Sequence, residues 1–239
     1  MKIVTADIGG THARFAIAEV EGGKVVSLGE ATKMRAADHA SLQIAWEAYG
    51  ETLDEPLPPY GAIAIAAPIR SDAIKFTNNP WIVRPALMNE RLKLEHRVLV
   101  NDFEAVAHAV AAVDDNQLMH ITGPEGPLPQ EGVISVVGPG TGLGVALLYR
   151  EKGRVHVLPT EGGHSDFAPL DEVEERVLTH LRKKHNRVSV ERVVAGSGLR
   201  AIWEVLAELE GSDVPKGDDK ALWSIALEGR DSIAEAALD

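Results

Sequence analysis

Two stretches of the chain repeat one alternation of apolar runs and glycine turns. In the first, an apolar strand from Ile3 ends at Asp7 and a turn follows at Gly9-Gly10-Thr11. A second strand runs from Arg14 to Val20, a turn sits at Glu21-Gly22-Gly23-Lys24, and a third strand runs from Val25 to Leu28. The second stretch has a strand from Val133 to Val137, then Gly138-Pro139-Gly140-Thr141-Gly142 and a strand from Leu143 to Tyr149. A turn at Lys152-Gly153-Arg154 leads to a last strand, Val155 to Leu158. An offset of 131 residues carries Gly9 onto Gly140, and one of 130 carries Gly23 onto Gly153. β-Branched residues fill the runs, and glycines are expected where tight hairpins need positive φ.

Helical and strand patterns follow each meander. Ala40 to Tyr49 reads as a helix, Ala62 to Ala66 and Arg97 to Val100 as buried strands, and Asp102 to Val113 as a helix. Later, Leu170 to Lys184, Gly198 to Leu209 and the stretch from Lys220 onward read as helices. Pro124, Gly126, Pro127, Pro129 and Gly132 punctuate the join. The order predicts two α/β lobes with a cleft between them, a small N-terminal lobe at 1–112 and a large lobe at 113–239.

Composition narrows the function classes. The chain has 239 residues, 45% hydrophobic and 25% charged, as an ordinary globular protein has. No apolar run approaches the roughly 18–20 residues of a membrane span, and the N-terminus lacks a signal-peptide pattern, so a cytoplasmic protein with no membrane partner is expected. With no cysteine, disulfides, cysteine-ligated zinc and a thiol nucleophile are excluded. A net charge of −12 argues against nucleic-acid binding, and requires any bound phosphate to be held by local amides and a metal ion.

Several motifs carry candidate chemistry. At Asp7-Ile8-Gly9-Gly10-Thr11, glycines let the backbone approach a phosphate, Thr11 adds a hydroxyl, and Asp7 is placed to hold Mg²⁺ through its water shell. A plain hairpin with Asp7 in the turn is the alternative. Gly138 to Gly144 offers a second cradle; its spacing is neither the dinucleotide fingerprint nor a P-loop. Asn101-Asp102 follows a strand and opens a helix, so Asp102 is either an N-cap or a base facing a cleft. Glu161-Gly162-Gly163-His164 suits vicinal hydroxyls, against a metal site with His180 and His185 or an exposed loop. Glu191 opens a further segment as an ordinary carboxylate or a ligand group. Thr77-Asn78-Asn79-Pro80-Trp81 reads as a turn whose polar side chains can reach a ligand.

Taken together and in order, these motifs, with Asn101-Asp102-Phe103-Glu104-Ala105 and Glu191-Arg192-Val193-Val194 among them, resemble the bacterial glucokinase family of the hexokinase/actin/heat-shock ATPase superfamily. The resemblance covers essentially the whole chain. It implies a two-lobed ribonuclease-H-like (actin-like ATPase) fold with a βββαβα-type repeat in each lobe and an interlobe cleft. It implies ATP-dependent phosphorylation of D-glucose at the 6-hydroxyl, feeding glycolysis, with Asp102 as catalytic base. By the same likeness Asn101, Asp102, Glu161, His164 and Glu191 hold glucose. Ala6, Asp7, Ile8, Gly9, Gly10 and Thr11 then form the first phosphate segment, with Asp7 serving Mg²⁺, and Gly138, Gly140, Thr141 and Gly142 the second. Family members are usually cytoplasmic and often homodimers.

The chain departs from the family at His12, where many members carry Asn, and lacks the cysteine cluster of the related repressor/open-reading-frame/kinase group. Members run further, with a glycine-rich adenosine segment and a closing helix, so the second lobe is expected to be incomplete and adenine contacts are assigned to no residue here. A catalytically silent sugar-binding regulator and a water-using ATPase are the rival classes; Asp102 speaks against the first and the Glu161–His164 loop against the second.

Overall fold

The computed structural model describes every residue except Arg70, Thr77, Asn78, Pro215 and Asp239. The chain divides into two compact units, Met1–Leu118 and Met119–Asp239. The division follows Leu118, beyond the boundary expected after residue 112, where a helix closes at Ala112.

The first unit opens with the expected meander, β1 (Lys2–Ile8), β2 (His12–Glu21) and β3 (Lys24–Leu28), and adds a short β4 (Thr32–Arg35). Helix α1 (Leu42–Gly50) leads to β5 (Tyr60–Ile65), then to a two-stranded hairpin, β6 (Ile74–Lys75) with β7 (Ile82–Val83). Helix α2 (Met88–Leu92), β8 (His96–Asn101) and α3 (Asp102–Ala112) complete the unit. The sheet order is β3-β2-β1-β5-β8, with β4 also on β2; β1, β5 and β8 run parallel, and β2 runs antiparallel to β1.

Alternation decides which way each strand faces. Val4, Ala6 and Ile8 of β1 are buried, as are Gly61, Ile63 and Ile65 of β5. Helix α1 buries Leu42, Ala45, Trp46 and Tyr49, the i, i+3, i+4, i+7 stripe of an amphipathic helix. Ser41 caps it by accepting the Ile44 N–H at 3.3 Å. Phe15 of β2 stacks on Tyr49, with ring centres 5.3 Å apart, and meets Trp46 edge-on at 6.1 Å.

The second unit begins with its own meander: β9 (Gly132–Pro139), β10 (Leu143–Glu151) and β11 (Arg154–Thr160), paired antiparallel with β10 in the middle. Helices α4 (Glu172–Arg182), α5 (Val190–Val194), α6 (Gly198–Glu210), α7 (Asp219–Leu227) and α8 (Ser232–Ala236) follow, and the other four pack against α6. Leu199, Trp203 and Ala207 on α6 meet Leu222, Ala226, Ile233 and Ala234 in one core.

Three expectations are corrected. Strands continue after the meander only in the first unit; among the described residues the second unit has helices there, so the βββαβα pattern is not repeated in it. The pattern from Lys220 onward is two helices, broken at Gly229, whose φ is +60°. Positive φ occurs in the second turn of each meander, at Gly22, Gly23, Lys152 and Gly153, but not at Gly9, Gly10, Gly138, Gly140 or Gly142. The first turns therefore use glycine for the missing Cβ, not for left-handed backbone. Among the described residues no helix is long and apolar enough to cross a membrane.

Truncating Trp46, which is 2% exposed, to alanine is expected to cost about 3–5 kcal/mol. Urea unfolding followed by circular dichroism checks this.

Candidate active site

Parallel pairing brings the carboxyl ends of β1 and β8 to one edge of the first unit's sheet. Asp7 lies opposite Ala64 of β5, and Asn101 opposite Ile65, so one strand separates them, roughly 9–10 Å across two strand spacings. There Asn101, not Asp102, is the N-cap of α3. Its Oδ1 accepts the N–H groups of Phe103 (3.0 Å) and Glu104 (3.4 Å), while Glu104 Oε2 accepts the Asn101 N–H, a full capping box. The cap reading of Asp102 is thereby corrected: the side chain is half-buried at the first helical position, and its Oδ1 accepts the Phe103 N–H at 2.9 Å. Burial pushes its carboxyl pKa up, the Phe103 N–H works against that, and the nearby negative charge of Asp7 adds to the rise.

Asp7 gives its Oδ2 to Arg14 of β2 at 2.7 Å. Its other oxygen meets no hydrogen-bond donor among the described residues. Those residues hold no cluster of three or more His, Cys, Asp or Glu able to bind a metal alone. One carboxylate beside an amide-lined turn nonetheless fits Mg²⁺, which keeps much of its water and takes other ligands from substrate phosphates. In the turn itself, Gly9 donates to the His12 carbonyl at 2.9 Å and the Thr11 carbonyl accepts the Ala36 N–H at 2.9 Å, while the Gly10 and Thr11 N–H groups meet no backbone acceptor among the described residues. His12 is held below the usual imidazole pKa by desolvation and by Lys33, Arg14 and Arg35. Of the Thr77–Trp81 motif, Thr77 and Asn78 lie outside the described residues. Asn79 is buried, accepting the Trp81 N–H at 2.9 Å and donating weakly to the Gly9 carbonyl at 3.4 Å; it braces the turn.

In the second unit, the Gly138–Gly144 turn joins β9 to β10. Gly140 N–H donates to the Gly142 carbonyl at 2.7 Å, and Gly196 N–H to the Gly140 carbonyl at 2.8 Å. Glu191, on α5, accepts the Leu143 N–H at 2.9 Å through Oε2. Beyond β11, a 3₁₀ turn at Gly162–His164 carries His164, whose Nε2 is 3.6 Å from Glu161 Oε2 and whose Nδ1 is 4.0 Å from Glu191 Oε1. Gly163 is required by space, since a Cβ there would fall 2.2 Å from the Leu143 carbonyl oxygen. Arg187 fixes the loop from behind, donating to the His164 carbonyl at 2.7 Å and pairing with Asp166. His180, once a metal candidate, pairs instead with Glu204 of α6 at 2.9 Å.

Thus Asp7, the Gly9–Thr11 turn, Asn101 and Asp102 share one edge of the first unit, and Glu161, His164 and Glu191 gather beside the glycine turn of the second. Sequence reasoning missed the bracing by Arg14, Asn79, Arg187 and Gly196. Asn79 stands inside the Thr77–Trp81 motif and Arg14 opens the second apolar run; Arg187 and Gly196 lack a local signal, because their partners lie far along the chain.

A glycine turn between two strands in each unit, with carboxylates beside both and an imidazole beside the second, sits in a fold similar to that of the α/β sugar kinases. The chain superposes on the solved glucokinase from an Antarctic psychrotroph with a TM-score of 0.81 and 31% identity, over 99% of this chain and 74% of that one. The glucokinase of Zymomonas mobilis is 57% identical over 239 residues, all of this chain and 74% of that protein. The glucokinase of Helicobacter pylori is 39% identical over 210 residues, 86% of this chain and 61% of that protein. The family model for glucokinase matches residues 4–239, and the chain belongs to the glucokinase family.

Two predictions follow from this geometry. Gly163→Ala must displace the loop from Leu143 and is expected to cost about 1–3 kcal/mol in thermal unfolding. A raised folded-state pKa at Asp102 gives stability that is complete below the unfolded pKa and lost as pH rises through the folded one. Asp102→Asn should therefore be more stable than the parent at neutral pH, with the gap closing as pH falls; melting curves across pH check the sign.

Proposed function

We propose that Asp102 is the general base of the reaction, that Asn101, Asp102, Glu161, His164 and Glu191 are glucose contacts, and that the glycine turns are contacts for nucleotide phosphates. The chain is a glucose kinase, transferring the γ-phosphoryl group of ATP to the 6-hydroxyl of D-glucose, the entry step of glycolysis. The observation that carries the base assignment is the division of labour at α3. Asn101 satisfies the helix N-terminus, and Asp102 is left half-buried with its Oδ1 on the Phe103 N–H.

In this reading the two units are lobes of an actin-like ATPase fold, and the strand order β3-β2-β1-β5-β8 supports the assignment for the first. Asp102 Oδ2 takes the proton of the 6-hydroxyl as that oxygen attacks phosphorus, an assistance worth about 10²–10⁴ in rate. Asn101, whose Oδ1 is spent on the cap, offers its Nδ2 to a sugar hydroxyl. Glu161 and Glu191 accept from vicinal hydroxyls, and His164 donates or accepts beside them. The Gly10, Thr11, Thr141 and Gly142 amides hold the phosphates, while Gly9, Gly138 and Gly140 shape the two turns and Ala6 and Ile8 flank Asp7 in the first segment. Mg²⁺ held near Asp7 would supply charge neutralisation at those phosphates. Arg14 keeps the Asp7 carboxylate in place, and closure of the site around the sugar excludes water as a competing acceptor. We place the enzyme in the cytoplasm as a homodimer, acting on small molecules without nucleic acid or membrane.

A coupled assay of ADP release on the intact protein tests this reading. ADP is expected to form only with sugar present, and kcat/KM should fall with decreasing pH through a pKa raised from that of an ordinary aspartate, as Asp102 takes up its proton. ADP release that glucose leaves unchanged would assign the site to water-using hydrolysis instead.

A further inference from the structure

Glu191 faces two ways. Its Oε2 accepts the N–H of Leu143, the first residue of β10, at 2.9 Å, while its Oε1 lies 4.0 Å from His164 Nδ1. The contact with the turn is close: a Cβ on Gly142 would fall 2.6 Å from Oε2. The peptide joining Gly142 to Leu143 is therefore pinned at both ends. Its N–H goes to Glu191, and its carbonyl accepts the Gly140 N–H at 2.7 Å. A second anchor comes from just beyond the same short helix, where Gly196 N–H bonds the Gly140 carbonyl at 2.8 Å; Trp223 Nε1 in turn holds the Gly196 carbonyl at 2.7 Å. Among the described residues, the Thr141 and Gly142 N–H groups meet no protein acceptor. With the next peptide plane fixed, these two donors have a set direction.

We propose that Glu191 is a positioning residue for the nucleotide's phosphates as well as a sugar ligand: by pinning the Gly142–Leu143 peptide it aims the Thr141 and Gly142 amides. One carboxylate thus ties the sugar cluster to the phosphate turn. This rests on the reading of that turn as a phosphate cradle and of Glu191 as a glucose contact, and the two parts fail separately.

The test uses the intact protein with three substitutions, reading KM for glucose, KM for ATP and the exchange rate of the Leu143 amide by NMR. In Glu191→Gln the side-chain carbonyl still accepts the Leu143 N–H. Exchange and KM for ATP should stay within about twofold, while KM for glucose rises about tenfold on loss of the charged acceptor. In Glu191→Ala both KM values should rise, that for ATP by about fivefold or more, and Leu143 exchange should quicken at least about tenfold. Glu191→Asp, a milder change that keeps the charge but withdraws it from Leu143, should reproduce the ATP and exchange effects. Raised KM for ATP and faster exchange with KM for glucose unmoved would uphold the positioning role and remove Glu191 from the sugar site. Unchanged KM for ATP in both Ala and Asp variants, or unchanged Leu143 exchange, would overturn the proposal.

Discussion

The side chain of Asn101 accepts the first free N–H groups of α3, and the character of the neighbouring carboxylate depends on that bond. A strand that runs straight into a helix must satisfy several amides at the joint. If Asp102 did so, it would be a carboxylate held low in pKa by donors, a poor base. Because Asn101 and Glu104 complete the capping box, Asp102 sits one residue inside, half-buried, with a raised pKa. The Asp7 carboxylate contributes to that rise, and Arg14 offsets part of its charge. Local structure, titration and proposed chemistry are thus linked through one residue whose contribution looks purely structural.

The second unit solves a different problem. A chain of net charge −12 does not attract phosphate by its overall field, so the proposed phosphate contacts rest on amides in a fixed array. The glycine turn between β9 and β10 is held in shape by Glu191 and Gly196, reaching from α5 and the segment beyond it, while Gly163 lets the Gly162–His164 turn lie against Leu143. Glycine there serves close approach, and the ordinary φ values of Gly138, Gly140 and Gly142 agree with that role.

Much of this was legible in the chain's pattern. Both meanders, α1, β5, β8, α3, α4 and α6 follow from apolar periodicity and turn residues, although β3, β8 and β11 bury no residue, so the strand expected to be buried at Arg97–Val100 is only partly covered. The short elements β4, β6, β7, α2 and α5 did not stand out, being too brief to show a period. Periodicity also ran α7 and α8 together, because the αL turn at Gly229 interrupts the helix without interrupting its apolar residues. The candidate site residues could be named from their motifs, yet their partners could not. Nothing local in the sequence says that Glu191 meets Leu143, 48 positions away, or that Asn101 takes the cap and leaves Asp102 free.

Rapid-quench single turnover of the intact protein and of Asp102→Asn, with glucose and ATP both saturating, isolates phosphoryl transfer from substrate binding and product release. The account predicts a transfer step slowed by about two decades or more in the variant, with glucose still bound. A variant that transfers phosphate to glucose as fast as the parent would contradict the assignment of Asp102 as the base.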